Sequence, residues 1–182
     1  MLSLNGGKIY GPKQSGALYV ATGIQLTPLI HGGGQEYGMR SGTENVAGII
    51  GFSHALEKAS KKRSGESKRL ESLQQNFYHQ LAKHVPAAEL TTNSNNLHNL
   101  VHITIPSTDN ERVMMELDEA GIQCAVGSAC SASSDEPSHV LTAIGMSDKQ
   151  AQTSLRFTMG RSTTIDEISY VVSVLAGILN SN

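Results

Sequence analysis

Cysteine, net charge and long apolar runs are all scarce in this sequence of 182 residues. The two cysteines, Cys124 and Cys130, are too few for a disulfide framework and their spacing matches no zinc motif, so any special cysteine here acts chemically. A formal net charge of −2 would concentrate neither nucleic acid nor an anionic membrane. No apolar run approaches the roughly 20 residues of a membrane span, and the first residues do not resemble a signal peptide. We therefore expect a cytoplasmic protein that binds neither nucleic acid nor membranes.

The organisation of the chain changes near residue 60. Residues 1–42 are rich in glycine and irregular, with a short strand-like run at 17–20. Apolar residues then recur at spacings of three and four over residues 43–59, which is typical of an amphipathic helix. The polar segment 58–68 predicts a break or kink before a second helical stripe at 70–81.

Helices and strands alternate after residue 88, which predicts a small α/β or α+β layer domain. Two patterns, Ser147-x-x-Gln150 and Thr164-x-x-Glu167, predict capping boxes at the starts of the last two helices. The predicted elements are, in order, strand 100–105, helix 111–120, strand 122–126, helix 137–144, helix 147–154, strand 155–159 and a final helix after Thr164.

Cys130 lies in the run 127–134, which contains only Gly, Ser, Ala and Cys. Such a run forms no stable element, so a thiol in it would be exposed and mobile. Pro137 is predicted to be the first residue of a helix, whose N-terminus would favour the reactive thiolate nearby. The alternative is that Cys130 is simply a small residue in a turn. Cys124, in an apparent strand, is predicted to belong to the core.

The predicted helix start at Thr43 is a second candidate site. Unpaired backbone N–H groups and the helix dipole attract anions at such a terminus. Arg40, Ser41 and Thr43 add donors around glycines that would let a phosphate approach closely. An ordinary N-cap at Thr43 explains the same residues equally well.

Four motifs, taken together and in order, resemble the C-terminal half of the group I cysteine desulfurases. They are KIYGPKQSGALYV (8–20), GGGQEYGMRSGTENVAGI (32–49), GSACSASSDEPSHVL (127–141) and SLRFTMGRSTTIDEI (154–168). The resemblance implies an α/β fold, that of the pyridoxal-phosphate-dependent transferases of fold type I, which are aspartate aminotransferase-like and include the class V aminotransferases. Residues 1–60 would then be the end of the large cofactor-binding domain with a connecting helix, and residues 61–182 the small C-terminal domain.

The resemblance also implies how the cofactor, pyridoxal 5'-phosphate, is held. Lys8 matches the lysine that binds it covalently, and Thr43 the threonine that reaches the cofactor phosphate of the neighbouring subunit in a homodimer. Family members usually have His immediately before this lysine, whereas this chain has Gly7. One contact to the cofactor phosphate or ring is therefore either missing or supplied by Asn5 and the backbone around Gly7.

Two further residues would carry the reaction. Cys130 matches the mobile-loop cysteine that becomes a persulfide, and Arg156 matches the arginine that holds the substrate carboxylate. The planar guanidinium forms two parallel hydrogen bonds to a carboxylate, which Lys cannot reproduce. A surface ion pair is the alternative for Arg156.

The implied activity converts L-cysteine to L-alanine and leaves a persulfide on the enzyme. A sulfur-acceptor or iron–sulfur scaffold protein would receive this sulfur for iron–sulfur cluster assembly or thio-modification, and a flexible loop would let the thiol move from the cofactor to the acceptor. Family members also have an N-terminal half, so we expect the chain to be a fragment that is inactive by itself. Two alternatives are a non-catalytic persulfide carrier or interaction module, and a related enzyme such as selenocysteine lyase.

Overall fold

The computed structural model describes residues 1–91, 96–126 and 137–181, and Cys130 lies outside them. The chain divides into two compact units, Met1–Ser64 and Gly65–Asn182. A long helix, α1 (Val46–His84), contributes residues to both units. In the described ranges, no helix combines the length and the apolar character that crossing a membrane requires.

The first unit opens with a two-stranded antiparallel sheet formed by β1 (Leu2–Asn5) and β2 (Gly16–Tyr19). A 3-10 turn at Gly6–Ile9 follows β1, and a second one spans Glu36–Gly38. The remaining chain before α1 is irregular. The predicted strand at 17–20 is confirmed with a displacement of one residue, but its partner β1 lies in a stretch that was predicted to be irregular.

The start of α1 corrects the prediction that Thr43 is its N-cap. The helix begins at Val46, and the residue before it, Asn45, provides the cap. The Asn45 side chain accepts a hydrogen bond from the N–H of Gly48 at 3.0 Å, and its backbone C=O accepts one from Ile49 at 2.9 Å. Asn is among the best N-cap residues because its side-chain oxygen satisfies an otherwise unpaired N–H group.

The predicted break at 58–68 is also wrong, because α1 is continuous over its 39 residues. Gly65 lies inside the helix, where it costs about 1 kcal/mol relative to Ala, an amount that packing elsewhere offsets. Arg69 stabilises the following turn, since it pairs with Glu66 and donates hydrogen bonds to the carbonyls of Thr163 and Gly160, both at 2.8 Å.

The second unit contains an antiparallel four-stranded sheet with helices. The strands are β3 (Glu89–Leu90), β4 (Leu100–Thr104), β5 (Ala125–Val126) and β6 (Ser154–Thr158). The strand order is β3-β4-β6-β5, so β6, the last of these strands in the chain, lies between β4 and β5. The helices that accompany the final part of α1 are α2 (Asn110–Glu119), α3 (His139–Ala143), α4 (Asp148–Gln152) and α5 (Ile165–Asn180).

One face of this sheet forms the core. Alternate residues of the two central strands point to it, and these residues join α1, α2 and α5 in one apolar cluster. Phe77 of α1 meets Phe157 of β6 edge to face, with ring centroids 5.5 Å apart. The central members of the cluster are Val101, Ile103, Val113, Leu117, Leu155, Val172 and Leu175.

Both predicted capping boxes are confirmed, at Ser147 with Gln150 and at Thr164 with Glu167. Pro137 is not the first residue of a helix, because α3 begins at His139. The predicted helix is present, with its start two residues later than expected, and Cys130 lies outside the described residues.

The predicted strand at 122–126 is shorter in the structure, where only Ala125–Val126 is a strand. The N–H of Ile122 instead bonds to the carbonyl of Leu117 at 2.8 Å and closes the end of α2. Gly121, with φ of 78°, makes this close turn possible, since few other residues adopt that backbone conformation.

Candidate active site

Lys8 lies in the 3-10 turn Gly6–Ile9 that follows β1. Asn5 caps this turn, because its Oδ1 atom accepts a hydrogen bond from the N–H of Gly7 at 2.8 Å. Lys8 is exposed, and among the described residues none pairs with its amine. A local cap thus fixes the backbone beside an amine that is free to react or to bind a ligand.

Backbone contacts from the following loop hold the other side of the turn. The N–H of Gly6 donates to the carbonyl of Ser15 at 2.7 Å, and the Gly6 carbonyl accepts from the N–H of Gly11 at 2.8 Å. Gly6 is buried, and a Cβ atom there would lie 2.2 Å from Ser15 Oγ. Only glycine fits, so the lysine turn depends on this close approach of two backbone segments.

Gly7 is the position where the sequence departs from the family pattern. A Cβ atom on Gly7 would lie 3.2 Å from Asn5 Oδ1, the same atom that caps the turn. Any larger residue at this position would therefore press against the Asn5 cap. Within this chain the Asn5 side chain bonds to the Gly7 backbone, and its contact to the cofactor stays a prediction.

Thr43 lies in the loop that precedes α1. With Arg40 and Gly42 it lines an open cavity of about 290 Å³, to which Glu36 and Glu44 also contribute. The cavity is lined further by residues 14–16, Asn45, Gly48 and Ile49, and by none of the residues of the lysine turn. Thr43 is exposed, and no hydrogen bond joins its side chain to any other residue that the structure describes.

The loop that carries Thr43 is held by Ser41 and Gln35. Ser41 is buried, its Oγ accepts from the N–H of Gly34 at 3.3 Å, and its N–H donates to the carbonyl of Ile30 at 3.2 Å. Gln35 Oε1 accepts from the N–H of Gly42 at 3.0 Å. These contacts keep Thr43 at the rim of the cavity although it is not the helix cap.

Arg156 occupies the middle of β6, between His102 on β4 and Ala125 on β5. Its side chain is partly buried, and its Nε atom is buried without a hydrogen-bond partner in the described ranges. No carboxylate among the described residues pairs with it, so the structure gives no support to a surface ion pair. A half-buried guanidinium of this kind is stabilised by an incoming anion.

His102 is a site residue that the sequence analysis missed. It is only 7% exposed, and both ring nitrogens are buried without a partner among the residues described. Burial, and next the charge of Arg156, lower the pKa of the imidazole, which is therefore neutral at neutral pH. In the strand pattern LVHITI, the polar residues His102 and Thr104 alternate with apolar ones, but nothing in the sequence paired His102 with Arg156.

The two cysteines can be compared only in part, since Cys130 lies outside the described residues. Cys124 packs against the core, as predicted, although it lies just before β5 rather than inside a strand. Burial, with a smaller contribution from Asp118, raises the pKa of its thiol to about 11. Cys124 is therefore protonated and unreactive at neutral pH.

The residues present fit two ends of pyridoxal phosphate. The unpaired amine of Lys8, on a turn held by Asn5 and Gly6, fits the aldehyde end. Thr43, whose side chain bonds to no other described residue, offers a donor to a phosphate, whereas Arg40 donates to the carbonyl of Ser41 at 2.8 Å and Glu36 and Glu44 line the same cavity. The cavity that Thr43 lines also includes Ser15, whose carbonyl accepts from Gly6 of the lysine turn at 2.7 Å.

Comparisons with known proteins agree with these features. Residues 1–171 match the family model for class-V aminotransferases. The cysteine desulfurase IscS of Dictyoglomus turgidum is 42% identical over 180 residues, covering 98% of this chain and 46% of the relative. The cysteine desulfurase IscS 1 of Archaeoglobus fulgidus is 38% identical over 179 residues, covering 98% of this chain and 47% of the relative.

The structural comparison gives the same family. The solved structure of a NifS-like protein from Rickettsia africae has a TM-score of 0.86 and 32% identity, covering 98% of this chain and 47% of that one. The chain thus spans about half the length of the curated relatives it matches. The resemblance and the α/β transferase fold inferred from the four motifs are confirmed. The chain belongs to the class-V aminotransferase family, whose members depend on pyridoxal phosphate.

Proposed function

We propose that this chain is the C-terminal part of a cysteine desulfurase, which converts L-cysteine to L-alanine and leaves a persulfide on Cys130. The observation that carries the proposal is the partly buried Arg156 guanidinium, which no described carboxylate pairs with and which suits an amino-acid carboxylate. Relatives named cysteine desulfurase, at 38–42% identity over almost the whole chain, support it.

In this proposal each residue has a separate task. Arg156 binds the substrate carboxylate, Lys8 binds the cofactor, and Thr43 donates to the phosphate. The cofactor, when bound, supplies an electron sink for the bonds around the substrate Cα atom. The Cys130 thiolate attacks the substrate sulfur, so an S–S bond forms while the Cβ–S bond breaks and its electron pair stays on carbon. Protonation of that carbon gives alanine, and no external oxidant is needed because sulfur is oxidised as carbon is reduced.

The domain assignment belongs to the same proposal. Residues 1–60 are the end of the large cofactor-binding domain and the beginning of the connecting helix, and residues 61–182 are the small domain. The division into two compact units, between Ser64 and Gly65, supports this assignment.

We also infer a homodimer in the cytoplasm that passes sulfur to an acceptor or iron–sulfur scaffold protein. The homodimer rests on the resemblance, in which the threonine that matches Thr43 reaches the cofactor phosphate of the neighbouring subunit.

A hybrid enzyme tests the proposal. In the hybrid, this chain replaces the matching C-terminal residues of the cysteine desulfurase IscS of Dictyoglomus turgidum, and the native enzyme is the control. We expect the hybrid to bind pyridoxal phosphate and to release alanine from L-cysteine, and Arg156→Gln to abolish saturation by L-cysteine. A folded hybrid that binds the cofactor but releases no alanine would contradict the proposal. Persulfide uptake from a chemical donor without alanine release would favour the carrier alternative.

A further inference from the structure

His102 and Arg156 form a polar pair on one face of the sheet in the second unit. They are direct partners in the antiparallel register of β4 and β6, so their side chains leave the same face of the sheet. Their strand neighbours Val101, Ile103 and Leu155 point instead into the apolar core. The pair therefore lies on the face opposite the core helices.

Most of the buried polar side-chain atoms that lack a hydrogen-bond partner, among the described residues, belong to this pair. Among the residues that the structure describes, five buried side-chain N or O atoms have no hydrogen-bond partner, and three of them belong to His102 and Arg156. Native proteins leave few such atoms, and each one calls for an explanation. Two adjacent side chains with three unsatisfied nitrogens indicate a missing ligand more strongly than a local packing defect does.

The neighbouring polar residues on the same face have partners. Ser154 Oγ donates to the carbonyl of Ala151 at 2.9 Å. Thr104 Oγ1 lies 3.3 Å from Thr91 Oγ1, within hydrogen-bond distance. The neighbouring strand residues Ser154 and Thr104 are therefore satisfied, whereas His102 and Arg156 are not.

We propose that His102 is a second substrate-binding residue, whose imidazole donates one hydrogen bond to the carboxylate held by Arg156. This inference rests on the proposed function, because it gives that carboxylate to the amino-acid substrate. A carboxylate has about four lone-pair sites, so it accepts two bonds from the guanidinium and one more from the imidazole.

The charges of the pair suit a single carboxylate. Arg156 supplies one positive charge, and the lowered pKa of His102 keeps the imidazole uncharged. A second positive charge on this face would be repelled by the first and would not be needed for a monoanion. The arrangement favours one carboxylate over a phosphate, which carries more charge and more acceptor oxygens.

The test measures ligand binding to the 182-residue chain without turnover. L-alanine is the probe, because it has the carboxylate but no thiol, and L-alaninamide, which lacks the carboxylate, is the control. Two-dimensional ¹H–¹⁵N spectra follow the His102 ring and the Arg156 Nε–H, assigned with the variants His102→Gln and Arg156→Lys. We expect L-alanine, but not L-alaninamide, to shift both signals with the same saturation curve.

Variants then separate binding from packing. His102→Leu is expected to raise the Kd for L-alanine about tenfold, the effect of losing a hydrogen bond to a charged group. His102→Gln, which keeps a donor, should recover part of the affinity, and the exposed control His79→Leu should bind as the unchanged chain does. Circular dichroism checks that each variant is folded.

The outcomes distinguish this inference from the proposed function. If L-alanine shifts Arg156 but not His102, or if His102→Leu binds normally, His102 is only a buried strand residue and the inference is wrong. If L-alanine shifts neither signal, the face binds no carboxylate, and the proposed function also loses the observation that carries it.

Discussion

Asn5 Oδ1 accepts a hydrogen bond of 2.8 Å from the N–H of Gly7, immediately before Lys8. This contact joins the side chain that caps the 3-10 turn to the backbone of the residue just before Lys8. The absence of a Cβ atom on Gly7 leaves room for it, because that atom would lie 3.2 Å from the same oxygen. Asn5 and Gly7 thus act together to position the proposed cofactor lysine.

Asn5→Ala is expected to loosen the lysine turn. The variant loses the cap acceptor, which is worth about 1 kcal/mol for an N-cap. In the hybrid enzyme it should weaken the binding of pyridoxal phosphate, measured by the absorbance of the bound cofactor during dialysis. Asn5→Asp keeps an acceptor oxygen and is the matched control. Equal cofactor retention in Asn5→Ala and in the unchanged hybrid would show that the cap does not position Lys8.

Asn45→Ala should destabilise the start of α1, whereas Thr43→Ala should not. Asn45 caps the helix through Gly48, and losing such a cap costs about 1 kcal/mol. Thr43 is exposed and bonds to no other described residue, so its loss should change the free energy of unfolding by less than about 0.5 kcal/mol. Urea unfolding measures the free energy of unfolding of both variants. A larger loss in Thr43→Ala than in Asn45→Ala would show that Thr43 caps α1.

The Cys124 thiol should react slowly with iodoacetamide. In the folded Cys130→Ala variant its pKa of about 11 should make the alkylation rate rise with pH throughout the range from 8 to 11. In the unfolded chain the rate should level off above a pH of about 9, the ordinary pKa of the thiol. A folded rate that levels off at the same pH as the unfolded rate would contradict the burial of this thiol.

The raised pKa of Cys124 also predicts how the stability of the folded chain changes at high pH. Because folding raises the pKa of Cys124, the folded chain keeps its proton where the unfolded chain has lost it. The corresponding stability is present below a pH of about 9 and is lost as the pH rises towards 11. Cys124→Ser, with a hydroxyl that does not titrate in this range, should show a shallower loss in urea unfolding.

The lowered pKa of His102 predicts a loss of stability at low pH instead of high pH. Folding lowers its pKa, so below the ordinary value of about 6.5 the unfolded chain binds a proton that the folded chain resists. Stability is therefore lost as the pH falls below about 6.5 and towards the folded pKa. Urea unfolding at pH 7.5 and about 5.5 should show a larger loss for the unchanged chain than for His102→Gln. Parallel losses in the two proteins would contradict the burial of a neutral imidazole.

Periodicity and capping chemistry predicted most of the second unit. The alternation in LVHITI gave β4, and the boxes at Ser147 and Thr164 gave the starts of α4 and α5. These signals are local, because strand alternation and caps depend on residues a few positions apart.

The predictions from sequence were wrong where tertiary contacts or competing local hydrogen bonds determine the structure. The polar segment around Gly65 stays helical within a helix whose later turns pack in the core. Thr43 and Asn45 are both acceptable caps, and local propensity does not choose between them. Ile122 matched a strand, but its N–H closes α2 instead.

The sequence predicted individual residues of the candidate site but not which residues lie side by side in it. Four motifs identified Lys8, Thr43, Cys130 and Arg156 by resemblance. The neighbour of Arg156 was missed, because the register that places His102 opposite it joins strands more than 50 residues apart, and sequence spacing carries no signal for that pairing.

The most direct measurement compares the two cysteines in the hybrid enzyme. Alanine release from L-cysteine is followed together with mass detection of one added sulfur atom on each cysteine peptide. The account predicts that Cys130→Ala retains the cofactor but releases alanine orders of magnitude more slowly, because the attacking thiolate is gone. It also predicts that Cys124→Ala, which loses about 1 kcal/mol of packing, works nearly normally and carries the added sulfur on Cys130. Normal alanine release by Cys130→Ala, or sulfur found on Cys124 instead, would contradict it.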